Sequence, residues 1–530
     1  MAQVKKQTFM KGIIILFISQ MLIKLLGFVY RVAITNLDGF GDIGNSYFGA
    51  AFQVYTVILA ISTVGIPSAL AKLVAERVAT GNLKGAHRVF KVALQLFTVV
   101  GIVFSVFMFV TAGWVSDVIK NPGVKYSLWT LSPSVYFVAI AAVIRGYFQG
   151  YCDMKPQASS QVIDQVAKCL FTIALAVSFI GHTPEIMAAA ATFGATVGTV
   201  VSFLYLLMYY NRHKKGIWQD IRDAKDKENE FKVESTKRII KNIISLSIPI
   251  ALGAVITSMA GMVNLLTVIP RLLDAGHSQE EAQALYGIIS GKSDTILNLP
   301  LAINIAFATS LVPNISAALA VGNKEDASKK ISFSVFCTIL ITLPAAVGLS
   351  VLSEPLIATI FPNAPAGGYY IRASAFAVIF MALAQTLNGS LQGMGKVYTP
   401  AIAIIIGAII KYISNYILVY NIGIMGAAYS TIICYFVAAT ISFCVLNSKI
   451  HLKLKITKVI IKPLLASLTM GIVAYYSYTY LLSLIHSRTI STLSAVGIAM
   501  VIYAFMLFAL NTFDREELEA MPVLNKLLKK

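Results

Sequence analysis

Long apolar stretches of about 20 residues alternate with short polar segments along the whole chain, and within the stretches apolar and polar positions do not strictly alternate. A run of that length fits a helix crossing the hydrocarbon core of a bilayer, where every backbone polar group must be satisfied inside the segment. Barrel strands would show a period of two, so the expected fold class is an all-α polytopic membrane protein. The pattern predicts about fourteen transmembrane helices, at 12–35, 47–72, 92–112, 128–148, 158–180, 186–210, 243–269, 286–312, 331–352, 369–391, 400–420, 424–446, 463–485 and 492–512. The first stretch is too long for the apolar region of a cleaved signal and carries Lys24 and Arg31, so it is expected to stay in the mature protein.

Composition agrees: 57% of the 530 residues are hydrophobic and only 13% charged, which places the chain outside the soluble class. The formal net charge of +19 is unevenly spread. With a cytoplasmic N-terminus, 31 of the 43 Lys and Arg fall in cytoplasmic segments and four, Lys120, Lys125, Arg271 and Arg488, in external loops. Lys and Arg are retained on the inner side, so both termini are expected in the cytoplasm of a multi-pass plasma-membrane protein. The charge then reads as topology and attraction to membrane lipids, not as a nucleic-acid footprint. The last segment, from Phe513 to Lys530, alternates apolar and basic residues and is expected along the inner membrane surface.

Laid over itself at offsets of 240 to 243 residues, the chain repeats. Lys24-x-x-Gly27-x-x-x-Arg31 falls on Asn264-x-x-Thr267-x-x-x-Arg271, and Ala79-Thr80-Gly81-Asn82 on Ala320-Val321-Gly322-Asn323. Gly146-Tyr147-Phe148-Gln149-Gly150 falls on Gly389-Ser390-Leu391-Gln392-Gly393, and Lys168 on Lys411. Six helices per copy is an even number, so this is a parallel repeat whose halves have the same orientation in the membrane. The expected organisation is an N-lobe at 1–210, a cytoplasmic linker at 211–242 and a C-lobe at 243–446, the two six-helix lobes surrounding a central cavity. An extra C-terminal helix pair at 447–512 and a tail at 513–530 complete it.

Gly27-Phe28-Val29-Tyr30-Arg31, the run from Gly65-Ile66-Pro67 to Ala75-Glu76, and Arg145-Gly146-Tyr147-Phe148-Gln149-Gly150 followed by Gln161-Val162-Ile163-Asp164-Gln165 carry a family resemblance. The chain resembles the polysaccharide-flippase branch of the multidrug/oligosaccharidyl-lipid/polysaccharide (MOP) superfamily, and within it the lipid II flippases. The resemblance implies fourteen helices, the last pair forming a groove for a lipid tail. It also implies a cargo of lipid-linked diphosphate-sugar, such as undecaprenyl-diphosphate-linked lipid II, and an association with the peptidoglycan synthesis machinery. Asp164 stands where the resemblance leads one to expect glutamate, which keeps the charge.

Charges inside spans give an independent reading, because each costs roughly 2.5–3.5 kcal/mol on insertion scales and is kept where it faces a cavity or a partner. Eight basic residues lie within the spans, Lys24, Arg31, Lys72, Arg145, Lys168, Lys292, Arg372 and Lys411, against two acids, Asp164 and Asp294. Lys72 and Arg372 sit at span ends and are expected to snorkel. The remaining six, with the repeat-matched Arg271, are the candidate substrate-binding residues, and their sign favours an anionic cargo over the organic cations of a drug antiporter. Gln20, Lys24, Gly27 and Arg31 share one helix face; so do Gln161, Asp164, Gln165 and Lys168, where Asp164 and Lys168 can pair at i, i+4. Ser290, Asp294 and Asn298 share a face near Pro300, resembling the unwound cation sites of transporters, while Lys292 points away from Asp294. Asp164 and Asp294 are thus either coupling or structural acids.

No Walker motif, catalytic triad, histidine metal spacing or cysteine framework is present in the sequence. The expectation is a non-enzyme without cofactor or metal, coupled to membrane potential, H+ or Na+. The rival readings are an exporter of other lipid-linked polysaccharide or teichoic-acid precursors, a drug or cation antiporter, and a membrane scaffold of a wall-synthesis complex.

Overall fold

The computed structural model describes residues 9–223, 234–320, 323–396, 398–452 and 454–513. The middle of the expected linker and the expected surface segment after Phe513 lie outside the described residues. Those described form helices and no strand. Eleven helices among them are long and apolar enough to cross a membrane, and the pair Gly368–Ser374 and Ala377–Gly393, bent by 41°, accounts for a twelfth span if taken as one. The other two expected spans, 47–72 and 286–312, are helical but interrupted by π-helical turns at Ile61–Gly65 and Ile288–Ser293. The chain is a polytopic α-helical membrane protein.

The first compact unit runs from Met1 to Gly291. It contains α1 (Phe9–Thr35), α2 (Gly41–Ala60), α3 (Ile66–Ala79), α4 (Leu83–Val118), α5 (Val124–Gly150), α6 (Lys155–Ser178), α7 (Pro184–Asp223), α8 (Thr236–Asp274) and α9 (Gln279–Gly287). Its core is built from Leu70 and Val74 of α3, Phe90 of α4, Ile144 and Tyr147 of α5 and Ile243 of α8. The unit extends past the expected N-lobe because α8 and the segment after it close on α2 and its π turn through glycines. A Cβ on Gly65 would lie 2.8 Å from that of Ala251 and 3.0 Å from the Ser247 carbonyl oxygen, while Gly287 and Gly291 meet Asp42 and Asn45. Gly194 and Gly198, four residues apart on α7, press on the α6 backbone at Thr172 and Asp164, the small-x-x-x-small arrangement that lets membrane helices approach.

The second unit runs from Lys292 to Lys530. It contains α10 (Asp294–Ala320), α11 (Lys324–Val351), α12 (Ser353–Ile360), α13 (Gly368–Ser374), α14 (Ala377–Gly393), α15 (Tyr398–Ile422), α16 (Met425–Lys449), α17 (Lys462–Ile485) and α18 (Arg488–Ala509). The extra pair α17 and α18 packs on α11, with Met470, Ala474, Ala495 and Ala499 clustered around Val347.

Local devices explain several sequence signals. Asn82 caps α4 by accepting from the Gly85 amide at 2.7 Å, and its repeat match Asn323 caps α11 by accepting from the Asp326 amide at 2.9 Å. The repeated Asn is therefore a helix start in each unit, and in the first unit Gly81 before it turns the chain at φ +83°. Prolines inside α5 and α11 each free a carbonyl four residues back. The Ser132 hydroxyl donates to Trp129 O at 2.9 Å behind Pro133, and the Tyr503 hydroxyl of α18 donates to Leu340 O at 2.8 Å behind Pro344.

Candidate substrate-binding site

In the first unit the two polar stripes of the sequence face each other. Gln20 of α1 donates to Gln161 of α6 at 3.0 Å, and Gly27 leaves room for Gln165, whose Nε2 would lie 3.6 Å from an added Cβ. Lys24 lies on this seam of α1 and is exposed.

Arg31 and Lys168 are held by aromatic rings of α2. Phe48 and Phe52 stack with centroids 4.6 Å apart. The Arg31 guanidinium sits 4.5 Å from the Phe48 centroid, and the Lys168 ammonium 4.0 Å from that of Phe52 and 5.4 Å from that of Tyr30. Both cations thus share one stacked pair, an arrangement that favours positive charge where water is scarce. Arg31, 8% exposed, also donates from Nη2 to Ser290 O at 2.7 Å.

The expected Asp164–Lys168 ion pair is not formed: Lys168 reaches the rings instead. Asp164 has Arg145 and Lys168 as its charged neighbours, yet its Oδ1 is enclosed without a hydrogen-bond partner among the described residues. Arg145, 7% exposed, is tied down by Ser160 Oγ at 2.8 Å from Nε and Ser202 Oγ at 2.9 Å from Nη2. It underlies the seam and is braced by protein groups.

Arg271 does not repeat the environment of Arg31. It ends α8 in an ion pair with Asp274 at 2.6 Å. In the second unit Lys292, 0% exposed, donates to Ala364 O at 2.6 Å and Ala366 O at 2.9 Å, clamping the segment between α12 and α13. Lys411 is 1% exposed on α15. Asp294 is exposed at the start of α10, where its carbonyl oxygen accepts from Asn298 Nδ2 at 2.6 Å. Arg372 reaches Glu354 at 2.9 Å. The seam of the first unit therefore brings Lys24, Arg31 and Lys168 together, with Arg145 and Asp164 beside them, while Lys292 and Lys411 are enclosed elsewhere.

Phe48, Phe52, Ser160 and Ser202 escape an inventory of buried charge because they carry none. The usable signal was the i, i+4 spacing of Phe48 and Phe52 opposite two cations that needed partners.

The chain is thus an all-α polytopic membrane protein with a cationic polar seam inside its first unit. The chain belongs to the polysaccharide biosynthesis protein family, whose model matches residues 9–319, and with it to the flippases of the MOP superfamily; the MatE model matches residues 289–417. Three relatives from Bacillus subtilis (strain 168) are similar along most of their length. They are the uncharacterized membrane protein YabM (27% identical, covering 99% of this chain and 97% of that one), stage V sporulation protein B (26%, 99% and 99%) and lipid II flippase MurJ (24%, 87% and 87%). A solved inward closed conformation of lipid II flippase MurJ shares the fold, with a TM-score of 0.69 at 17% identity over 93% of this chain and 98% of that one.

Proposed function

We propose that the protein flips a lipid-linked diphosphate-sugar precursor of the cell wall, with lipid II as the favoured cargo, from the inner to the outer leaflet by alternating access. The observation that carries this reading is the seam of α1 and α6, which gathers Lys24, Arg31 and Lys168 with Asp164 as the acid among the described residues of the seam. Such a site suits a diphosphate and repels an organic cation. The prenyl chain stays in lipid while the headgroup crosses.

A second reading, another lipid-linked glycan, is favoured by the near full-length similarity to stage V sporulation protein B. Proteoliposomes containing fluorescent lipid II, a second undecaprenyl-diphosphate glycan or an organic cation separate the readings. Protein-dependent flipping of lipid II above the second glycan supports the first. Preference for the second glycan selects the other, and uptake of the cation alone contradicts both.

A further inference from the structure

A cavity of about 790 Å³ lies in the second unit, within the size range of small-ligand sites and remote in sequence from the seam of α1 and α6. Three segments enclose it: the first turns of α11, the end of α16, and the stretch leading into α17 with its π turn at Thr457–Ile461. Its lining is strongly basic. Lys324, Lys329, Lys449, Lys455 and Lys458 converge on it with His451, and Glu325 is the one acid among the lining residues.

That acid is already engaged, since Glu325 lies 3.7 Å from Lys329. Among the described residues, five lysines and one glutamate line the space. The walls are also shaped to hold it. Ser328 Oγ donates to His451 O at 2.9 Å, fixing the segment after α16 on α11, and the Lys458 ammonium lies 5.4 Å from the Phe336 centroid. The floor is apolar, with Phe333, Phe336 and Val459. Ser332 Oγ on the same wall is enclosed and makes no hydrogen bond among the described residues.

Cations on a rim above an apolar floor fit a phosphate carried by an acyl chain. The positive-inside distribution puts these segments at the inner leaflet, where anionic lipids concentrate and where each nearby lysine adds attraction. We propose that this cavity binds the phosphate headgroup of an anionic glycerophospholipid of the inner leaflet. The headgroup phosphate meets Lys449 and Lys455, with Lys458 beside them over the Phe336 ring, and the upper acyl chain lies on Phe333 and Phe336. The site is distinct from the one assigned to cargo and does not depend on which glycan is flipped.

The test uses the full chain, purified in detergent and titrated with short-chain phosphatidylglycerol, with zwitterionic phosphatidylcholine, of zero net charge, as the control. Lipid-bound species are counted by native mass spectrometry. The wild type is expected to retain phosphatidylglycerol over phosphatidylcholine. The combined variant Lys449→Gln, Lys455→Gln, Lys458→Gln is expected to bind roughly tenfold more weakly or worse, while Lys214→Gln, Lys237→Gln, Lys241→Gln retains wild-type binding. Gel filtration and thermal unfolding confirm that each variant is folded. Equal binding by the two triple variants overturns the site. Full competition by millimolar inorganic phosphate, or preferential occupation by undecaprenyl diphosphate, overturns the phospholipid assignment. So does binding of phosphatidylglycerol that is absent in the wild type and emerges only in a variant with Asp514, Glu516, Glu517 and Glu519 neutralised together, which would give the lysines to those four acids of the last segment.

Discussion

Lys168 illustrates how a cation inside a membrane protein chooses its partner. A carboxylate four residues away on the same helix competes with an aromatic face on another, and the ring of Phe52 at 4.0 Å wins. A desolvated contact of this kind contributes about 0.5–2 kcal/mol. Double-mutant cycles on unfolding in detergent are therefore expected to show coupling of that size between Lys168→Met and Phe52→Leu, and a smaller one between Lys168→Met and Asp164→Asn. The reverse order would restore the i, i+4 ion pair. Arg31 and Arg271 diverge for a related reason, although the repeat aligns them. Arg31 binds a carbonyl and a ring, whereas Arg271 is neutralised by Asp274. Arg31→Ala is expected to cut transport by tenfold or more at unchanged abundance, from the ~1.5–3 kcal/mol of a charged hydrogen bond. Arg31→Lys is expected to be partly active and Arg271→Ala to lose less than about threefold. Equal losses at both positions would support equivalence. The cations themselves were legible in the sequence because their insertion cost makes each one conspicuous. Their partners were not, since a phenylalanine in an apolar span looks like any other lipid-facing residue.

At the scale of helices, proline placement accounts for contacts that periodicity misses. Pro344 frees the Leu340 carbonyl inside α11, and Tyr503 of α18 supplies the missing hydrogen bond at 2.8 Å. The extra helix pair is thus fastened to α11 through a polar contact as well as through the small-residue packing around Val347. Tyr503→Phe leaves the carbonyl orphaned and is expected to destabilise the protein by about 1–3 kcal/mol. A lowered unfolding temperature in detergent, restored when Pro344→Ala closes the α11 ladder, checks it. An unchanged temperature in Tyr503→Phe would show that the carbonyl finds another donor. Spans and their order were readable from the apolar runs. The π turns at Ile61–Gly65 and Ile288–Ser293 were not, because one inserted residue per turn leaves hydrophobicity unchanged. The repeated Gly-Asn was visible as similarity; that Asn82 and Asn323 each cap a helix was not, because asparagine serves turns as readily as caps.

For the whole molecule, we propose that this MOP-superfamily flippase moves an anionic headgroup and is reset by an electrochemical gradient. Moving one elementary charge through 100 mV supplies about 2.3 kcal/mol, so a cationic site alone makes cycling voltage-sensitive. Asp294, exposed at the start of α10, is the acid proposed to add chemical coupling. In proteoliposomes with potential, proton and sodium gradients imposed separately, Asp294→Asn is expected to lose the response to one ion and keep the response to potential. An unchanged response to all three would leave Asp294 a structural acid. The helix-start asparagines shared by the two halves were legible as sequence similarity. The compact unit reaching Gly291 was not, because it depends on glycine contacts between residues more than 180 positions apart, such as Gly65 and Ala251. The central claim is most directly tested in cells depleted of their own lipid II flippase, by measuring lipid II exposed on the outer leaflet. Expression of this chain is predicted to restore exposure and growth, and a variant lacking Lys24, Arg31 and Lys168 is predicted to restore neither at equal abundance. Full rescue by that variant would contradict the account.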